Sequence, residues 1–351
     1  MNPQGISFSW KYTLLFRAFS KYPVNPNLYA IISPPGENCG LVKLNLFLYS
    51  AVVLIWGTTW IAIYWQLGTV PPLASVFYRF AIAAALLLPL LHLFNKVQPT
   101  TGKDHGFFML QGCFLFSFNF ICFYFATQHI VSGLASVIFS TATVFNAINN
   151  RWFWGEIPGS RTYIAGVLGI SGLVLMFWND LAAGTWSLDA LRGLGLGLIG
   201  TYLFSLGNMV SIRNSKRNLQ PLTSNAYSMV YGTAVLTAAM LATRTPLVWD
   251  PNPLYVGSLL YLAIPGSILA FWAYLTLVAR IGANKAAYAT VLFPVVALTL
   301  SSVFEGYQWQ VLSVLGLVLV LSGNAILLGL DKILRRYRRQ AKNNTTNPTG
   351  D

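Results

Sequence analysis

The chain has 351 residues, of which 55% are hydrophobic and 9% charged, and its mean hydropathy is +0.59. Soluble domains carry roughly 25% charged residues, so this composition excludes a water-soluble protein. The net charge of +13 would indicate a nucleic-acid partner in a soluble protein. Here nearly all charges lie between long apolar runs, where they set membrane topology, and no nucleic-acid partner is expected.

Residues 1–43 differ from the rest of the chain. They contain four Lys or Arg and several Pro but no apolar run long enough to span a bilayer, and they lack the pattern of a signal peptide. We expect a cytoplasmic extension. Alternatively, translation begins later, near Leu41 or Val42, whose codons can serve as bacterial starts.

From Leu44 onward the chain contains about ten apolar runs near the ~20 residues that cross a bilayer. The runs are continuous and do not alternate, which indicates helices and not a barrel. The predicted fold class is therefore all-α, a polytopic membrane protein with about ten transmembrane helices. The approximate limits are 44–66, 73–94, 106–127, 132–154, 161–178, 193–212, 222–242, 254–279, 286–304 and 309–330.

The positions of Lys and Arg predict the orientation of these spans. With a cytoplasmic N-terminus, 19 of the 22 basic residues face the cytoplasm. Only Arg192 and Arg244 fall outside, and Arg79 lies within a span. Both termini of a multi-pass inner (plasma) membrane protein are therefore expected in the cytoplasm. The basic tail 331–351 is expected to anchor this topology against anionic lipid.

One stretch of sequence occurs twice. The stretch 133–156 is echoed by 282–305, where Gly133 matches Gly282, Thr141 matches Thr290 and Glu156 matches Glu305 at an offset of 149. The longest connection, 179–192, separates the two copies and predicts repeats at 44–178 and 193–330. Five spans per repeat is an odd number, so the repeats must have opposite orientations, which is typical of secondary transporters.

Arg79 is the one firm charge within the spans. A buried charge is costly and is functional by default. If Arg79 faces a pore, its guanidinium could hold a substrate carboxylate through two hydrogen bonds. Alternatively, Arg79 reaches the outer interface and only fixes topology.

Aromatic and polar residues within the spans are the other candidates for binding a small-molecule substrate. Trp56, Thr59 and Trp60 share one helix face, which suits a partly apolar solute. Interior amides and hydroxyls bind solutes about as often as they hold helices together, and Asn149 and Asn150 could simply be hydrated near a span end. The candidate substrate-binding residues are Trp56, Thr59, Trp60, Arg79, Asn119, Asn146, Ser205, Asn208, Trp272 and Tyr288.

The sequence offers little for catalysis. The histidines His92, His105 and His129 lie at span ends, and no Asp or Glu lies deep in a span. The three cysteines have no metal-ligand spacing, and packing is their simplest role. We therefore expect no enzyme, no catalytic residues, no metal and no cofactor.

Several of these motifs together resemble the EamA-like family of the drug/metabolite transporter superfamily. They are the segment 56–60 (WGTTW), the Pro-Pro turn followed by residues 78–80 (YRF), and the paired spans ending at Gly155-Glu156 and Glu305-Gly306. The resemblance covers about residues 44–330. It implies ten-helix inner-membrane carriers with inverted repeats and alternating access, many of which export amino acids or other small metabolites.

One departure concerns the fourth span. The family's usual proline, thirteen residues before the glutamate, is Thr143 here, whereas the second half has Pro294 eleven residues before Glu305. The two halves are therefore not expected to bend alike. The functional prediction is export of an amino acid or related solute. A membrane scaffold and a membrane-embedded enzyme are the alternatives, while substrate, coupling ion and oligomeric state stay open.

Overall fold

The structure is a computed structural model that describes residues 39–155, 157–178, 188–281 and 289–328. All regular elements within these ranges are helices. The expectations for most of the N-terminal extension, for Glu156, for Tyr288 and for the basic tail fall outside the described residues.

Fifteen helical elements are described, of which two are π-helices. In chain order they are α1 (Cys39–Tyr64), α2 (Pro72–Leu93), α3 (Gly102–Cys113), π1 (Phe114–Phe118), α4 (Asn119–Ala126), α5 (Ser132–Ser140), α6 (Ala142–Trp154), α7 (Ser160–Met176), α8 (Leu188–Lys216), α9 (Pro221–Thr243), α10 (Pro253–Ala263), π2 (Ile264–Leu269), α11 (Ala270–Ile281), α12 (Ala289–Phe304) and α13 (Val311–Leu328).

Local sequence explains where several of these helices begin and end. Pro72, Pro221 and Pro253 each stand at a first helical position, where a missing N–H costs nothing. Thr101 and Asp104 form a capping box at the start of α3. Gly155 ends α6 in the left-handed conformation, with φ of 72°, which a glycine adopts without strain.

Six described segments are long and apolar enough to cross a membrane, and three shorter apolar helices accompany them. The six are Leu44–Tyr64, Pro72–Leu93, Gly102–Ala126, Leu188–Lys216, Pro221–Thr243 and Pro253–Tyr274, and the shorter three are Ser160–Met176, Val291–Phe304 and Val311–Ile326. The structure therefore shows a helical membrane protein. The count of ten spans stays a prediction.

The fourth predicted span, 132–154, is not one helix. It breaks at Thr141, between α5 and α6. The hydroxyls of Ser136, Ser140 and Thr141 each donate to a carbonyl three residues earlier, and such bonds bend helices. Hydroxyl groups thus accompany a break in a span that lacks the family's usual proline, whereas α12 continues through Pro294.

Helices from distant parts of the chain pack against each other. α2 packs on α9, α7 on α13, and α12 lies against both α1 and α5. α8 contacts α4 and α6, and α11 contacts α1. The core therefore consists mainly of contacts between the first and second parts of the described chain.

Glycine allows the closest of these approaches. A Cβ atom placed on Gly172 of α7 would lie 2.5 Å from the carbonyl oxygen of Gly316 of α13, and the same distance holds in reverse. Gly169, one turn earlier in α7, has no atom within 4 Å of such a Cβ. Of the three glycines of α7, Gly166, Gly169 and Gly172, only Gly172 is in such close contact with the backbone of α13.

We expect Gly172→Ala to lower the thermal unfolding midpoint of the purified protein, because its methyl group would collide with backbone that cannot rotate away. Overpacking of this kind costs about 1–3 kcal/mol. Gly169→Ala is the matched control, and its unfolding midpoint should be equal or higher because alanine favours helix. Equal midpoints for the two variants would contradict the observed packing of α7 on α13.

Candidate functional site

The two π-helices occupy equivalent places in the two parts of the chain. Phe114 begins π1 and Ile264 begins π2, 150 residues later. Each contains a serine whose hydroxyl donates to the carbonyl five residues earlier, Ser117 to Gly112 at 3.0 Å and Ser267 to Leu262 at 2.9 Å. Single π-turns inside membrane helices are frequent at functional sites.

Neither π-helix was predicted from the sequence. The available signal was the recurrence of serine at Ser117 and Ser267, at nearly the same spacing as the repeated stretch. Because π-turns have no strong composition of their own, hydropathy alone predicts one uninterrupted span at each place.

Arg79 lies beside π2. Its side chain is buried, with 3% of the residue exposed, so Arg79 does not extend to an interface as the topology-anchor alternative requires. Its Nε donates to Ser267 Oγ at 3.2 Å. The guanidinium carbon lies 4.4 Å from the ring centre of Phe120 and 5.3 Å from that of Phe80. Arg79 therefore links α2 with π2 inside the protein.

Tyr124 and Gln66 extend this polar region. Tyr124 interacts electrostatically with the Arg79 guanidinium, and its hydroxyl donates to Gln66 Oε1 at 2.6 Å. Both residues are fully buried. Neither Gln66 nor Tyr124 was a candidate from the sequence, because single polar residues at these positions fit no motif.

Thr59 contacts the same region through its methyl group. Its hydroxyl donates to the carbonyl of Trp56 at 2.7 Å, whereas a Cβ on Gly266 of π2 would lie 2.9 Å from the Thr59 methyl. The neighbouring Thr58, which was not a candidate from the sequence, bonds the Tyr261 hydroxyl at 2.5 Å. Of these two hydroxyls, that of Thr58 is therefore the one that reaches the second part of the chain.

Aromatic rings continue from this region along α1. The Trp56 ring centre lies 5.6 Å from that of Phe271 and 5.1 Å from that of Tyr274. These three rings are half-buried. One face of α1 therefore meets α11 through aromatic contacts.

A second aromatic group surrounds Trp60. Its ring centre lies 5.2 Å from that of Phe123 and 5.7 Å from that of Phe139, and Phe139 lies 4.6 Å from Phe204. Trp60 is buried, whereas Phe139 and Phe204 are half-buried. Together the two groups place aromatic surface between helices of both parts of the chain.

The amide candidates hold helices α6 and α8 together. Asn208 donates to Asn146 at 3.3 Å, and Asn149 donates to Ser205 at 2.9 Å. Asn149 is fully buried, which corrects the expectation that it is hydrated near a span end. The buried Asn119 Oδ1 has no hydrogen-bond partner among the described residues.

One described candidate, Trp272, is not brought to this region. Trp272 is 46% exposed, whereas its neighbours Phe271 and Tyr274 contact Trp56 and form with it the Trp56 group. An exposed side chain on a membrane helix faces lipid or water and not a protein interior. Tyr288 lies outside the described residues.

A carboxylate joins α12 to the start of α5. Glu305 Oε2 accepts a hydrogen bond from the Ser132 backbone N–H at 2.8 Å, and Oε1 accepts from the hydroxyls of Ser132 and Ser301. The Ser301 hydroxyl also accepts from the Gly133 N–H at 2.8 Å. Glu305 thus caps the N-terminus of a helix from the other part of the chain.

A second carboxylate forms a contact at the opposite end of the protein. Asp104 Oδ1 lies 3.3 Å from Arg213 Nη1 and 3.8 Å from Arg217 Nε. Asp104 and Ser132 are separated by the helical segment Gly102–Ala126, about 37 Å long at 1.5 Å per residue. Polar contacts between the first and second parts of the chain therefore exist at both ends of the helices.

The helical fold and these contacts agree with the comparison with known families. A model of the EamA-like transporter family matches residues 43–178 and again residues 191–329. The chain belongs to this family, and it is a membrane transporter.

Two relatives share most of their length with this chain. Protein PagO of Salmonella typhimurium is 24% identical over 280 residues, covering 79% of this chain and 90% of PagO. The uncharacterized inner membrane transporter YedA of Escherichia coli K12 is 26% identical over 278 residues, covering 77% and 88%.

A solved crystal structure of another protein shares the fold. It superimposes on this chain with a TM-score of 0.57 at 16% identity, covering 81% of this chain and 97% of the other. At this identity the likeness concerns the fold alone.

We expect Glu305→Leu to destabilise the protein by about 1–3 kcal/mol, because buried donors on Ser132 and Ser301 lose their acceptor. Glu305→Gln keeps one acceptor oxygen and should be destabilised less. Thermal unfolding of the purified variants measures the difference. Asp189→Leu is the control, since the Asp189 carboxylate is 62% exposed and its pairs with Arg192 and His129 contribute little. A Glu305→Leu midpoint equal to that of Asp189→Leu would contradict the capping role.

Proposed function

We propose that this chain is a secondary transporter of the inner membrane that moves a small metabolite by alternating access. Its ten transmembrane helices form two inverted repeats of five, at 44–178 and 193–330, with both termini in the cytoplasm. The transported solute is an amino acid or a related compound, and the direction is export. Membership of the EamA-like transporter family supports the general role.

The correspondence of helices between the two parts of the chain carries this proposal. α2 packs on α9 and α7 packs on α13, and each of these pairs joins equivalent helices of the two repeats. In the proposed repeats α1 corresponds to α8, α6 to α12 and α4 to α11. The contact of α1 with α12 therefore corresponds to that of α8 with α6, and the contact of α4 with α8 corresponds to that of α11 with α1. Exchange of the repeats thus reproduces the contacts, as two copies around a common axis require.

The contacts at the two ends supply elements that alternating access needs. In the proposed topology the Glu305 contact lies on the outer side and the Asp104 contact on the inner side. Both join helices of different repeats. Opening one side requires only that one of these contacts separates while the other holds.

The binding region of this proposal lies between the repeats, beside π1 and π2. Trp56, Trp60 and Arg79 are its principal residues, because each contacts residues of the second repeat. Thr59, Asn119, Asn146, Ser205 and Asn208 line or support it. The half-buried rings of the Trp56 group offer apolar surface to a partly apolar solute.

A resistance screen tests transport directly. Cells that express the chain should tolerate at least one class of toxic amino acid, amine or purine analogue better than cells without it. Proteoliposomes that contain the purified protein should then move that compound. Absence of movement, with the protein correctly inserted, would contradict transport and favour a non-transporting membrane scaffold.

Two candidate tryptophans, Trp56 of α1 and Trp272 of α11, provide a matched test of the binding region. We expect Trp56→Leu to lower the transport rate about two- to tenfold, because it removes the proposed aromatic contact with the solute, worth roughly 0.5–1.5 kcal/mol. Trp272→Leu should leave the rate unchanged, since Trp272 is exposed. Initial rates in proteoliposomes measure both. Equal loss in the two variants would contradict the placement of the site.

A further inference from the structure

Arg79 is a buried cation without a counter-ion in the described part of the chain. It forms no ion pair with Asp104, Asp189, Asp250 or Glu305, the carboxylates that the structure describes. A buried charge costs several kcal/mol unless an opposite charge and hydrogen bonds compensate it. Among the described residues, no carboxylate offsets the free-energy cost of burying the Arg79 charge.

The neighbouring groups compensate this cation only in part. The faces of Phe80 and Phe120 attract the guanidinium, and Ser267 accepts one hydrogen bond from Nε. Nη1 is buried and has no acceptor among the described residues. An arginine presents paired N–H groups that match the two oxygens of a carboxylate, and here Nη1 of that fork has no acceptor among the described residues.

The hydroxyl groups around Arg79 are neutral acceptors and bring no negative charge. The Tyr124 hydroxyl beside the guanidinium donates to Gln66 Oε1. Gln66 Nε2 is also buried without a partner in the described ranges. Ser267 uses its own proton to bond the Leu262 carbonyl. Two unpartnered donors, on Nη1 and Gln66 Nε2, therefore remain in a region with a net charge of +1.

We propose that Arg79, assisted by Gln66, binds the carboxylate of the transported solute. The inference rests on the proposed function and narrows its substrate class to monoanionic carboxylates or carboxylates within zwitterions. One cation balances one carboxylate, whereas a phosphate dianion would leave a buried negative charge. The Trp56 group is connected to Phe80 beside Arg79 by three aromatic contacts, through Phe116 and Phe271, and faces the apolar part of the solute.

The location of Arg79 explains how such a solute is released. Arg79 belongs to α2 of the first repeat, and Ser267 belongs to π2 of the second. In this conformation the site is closed, because Arg79 is 3% exposed. Separation of α2 from π2 breaks the bond to Ser267 and opens the site to solute, so carboxylate binding and the movement of the repeats act on the same contact.

Ligand-dependent thermal unfolding of the purified full-length protein tests this inference. The probes are L-leucine, L-phenylalanine and phenylacetate, each compared with its own amide, which lacks the negative charge. We expect at least one acid to raise the unfolding midpoint of the wild-type protein while its amide does not. Apparent affinities follow from the dependence of the midpoint on ligand concentration.

Arg79→Met and Gln66→Leu are the test variants, and Arg244→Met is the control because Arg244 is exposed in a loop. Arg79→Met should weaken acid binding on the order of tenfold to a hundredfold, the value of a hydrogen bond to a charged group. Without ligand its unfolding midpoint should equal or exceed the wild-type value, because an unpaired buried charge is removed. Arg244→Met should bind like the wild type.

Three results would overturn the inference. They are stabilisation of the wild type by none of the acids, equal stabilisation by acids and amides, and acid selectivity that persists in Arg79→Met. If Arg79→Met does not fold, the comparison of acids with amides in the wild type and in Gln66→Leu still decides. Proteoliposomes separate the two proposals: acid-selective binding without movement of the acid contradicts transport, whereas the role of Arg79 in binding a carboxylate is retained.

Discussion

The absence of water from the bilayer core is the constraint on which this structure depends. Each polar group inside the helices must find its partner within the protein. Asn149 bonds Ser205, and Gln111 bonds both Asn225 and Asn214. These bonds join elements that are distant in sequence. They therefore fix which helices are neighbours and in what register, which apolar faces alone would leave free.

The same constraint makes the buried polar groups that lack a partner informative. Nine buried side-chain polar atoms lack a partner among the described residues, and two of them, Nη1 of Arg79 and Nε2 of Gln66, lie in the proposed binding region, where the proposed solute would complete their hydrogen bonding. The π-helices lie beside this place, and their wider turns keep Ser117 and Ser267 bonded to carbonyls five residues earlier. Local irregularity of the helix and incomplete pairing thus occur together at the proposed meeting point of the repeats.

Small residues determine how closely the two parts of the chain approach. Gly172 and Gly316 bring α7 and α13 into backbone contact, and a Cβ on Gly57 of α1 would lie 2.6 Å from Val296 of α12. Contacts of this kind are van der Waals contacts, without the interlocking of long side chains. Helices joined by them can shift against one another at lower cost than helices joined by large interdigitated residues.

The sequence predicted the features that depend on composition and length. Apolar runs near 20 residues placed the helices within a few residues, and the recurrence of Gly133–Glu156 indicated a duplication. The sequence alone did not decide whether Arg79 faces a pore or reaches the outer interface. The position of a residue along a helix does not reveal which neighbouring helices cover its side chain. The structure buries Arg79 against Phe120 and Ser267.

Features that depend on tertiary contacts were missed. The break at Thr141 arises although the family's usual proline is Thr143 in this chain, and the π-helices leave no mark in hydropathy. Trp272 has the same composition signal as Trp56, yet one is exposed and the other contacts Phe271. Only the packing of the neighbouring helices distinguishes an exposed tryptophan from one that contacts other rings.

The most direct test of the central claim is the sidedness of two equivalent loops. Gly159 and Gln308 are 149 residues apart and both exposed. In a background with Cys39, Cys113 and Cys122 replaced, Gly159→Cys and Gln308→Cys are treated with a membrane-impermeant maleimide. Inverted repeats predict that Gln308→Cys reacts in intact cells and Gly159→Cys only after permeabilisation. Labelling of both from the same side would contradict the inverted arrangement and the alternating-access mechanism that depends on it.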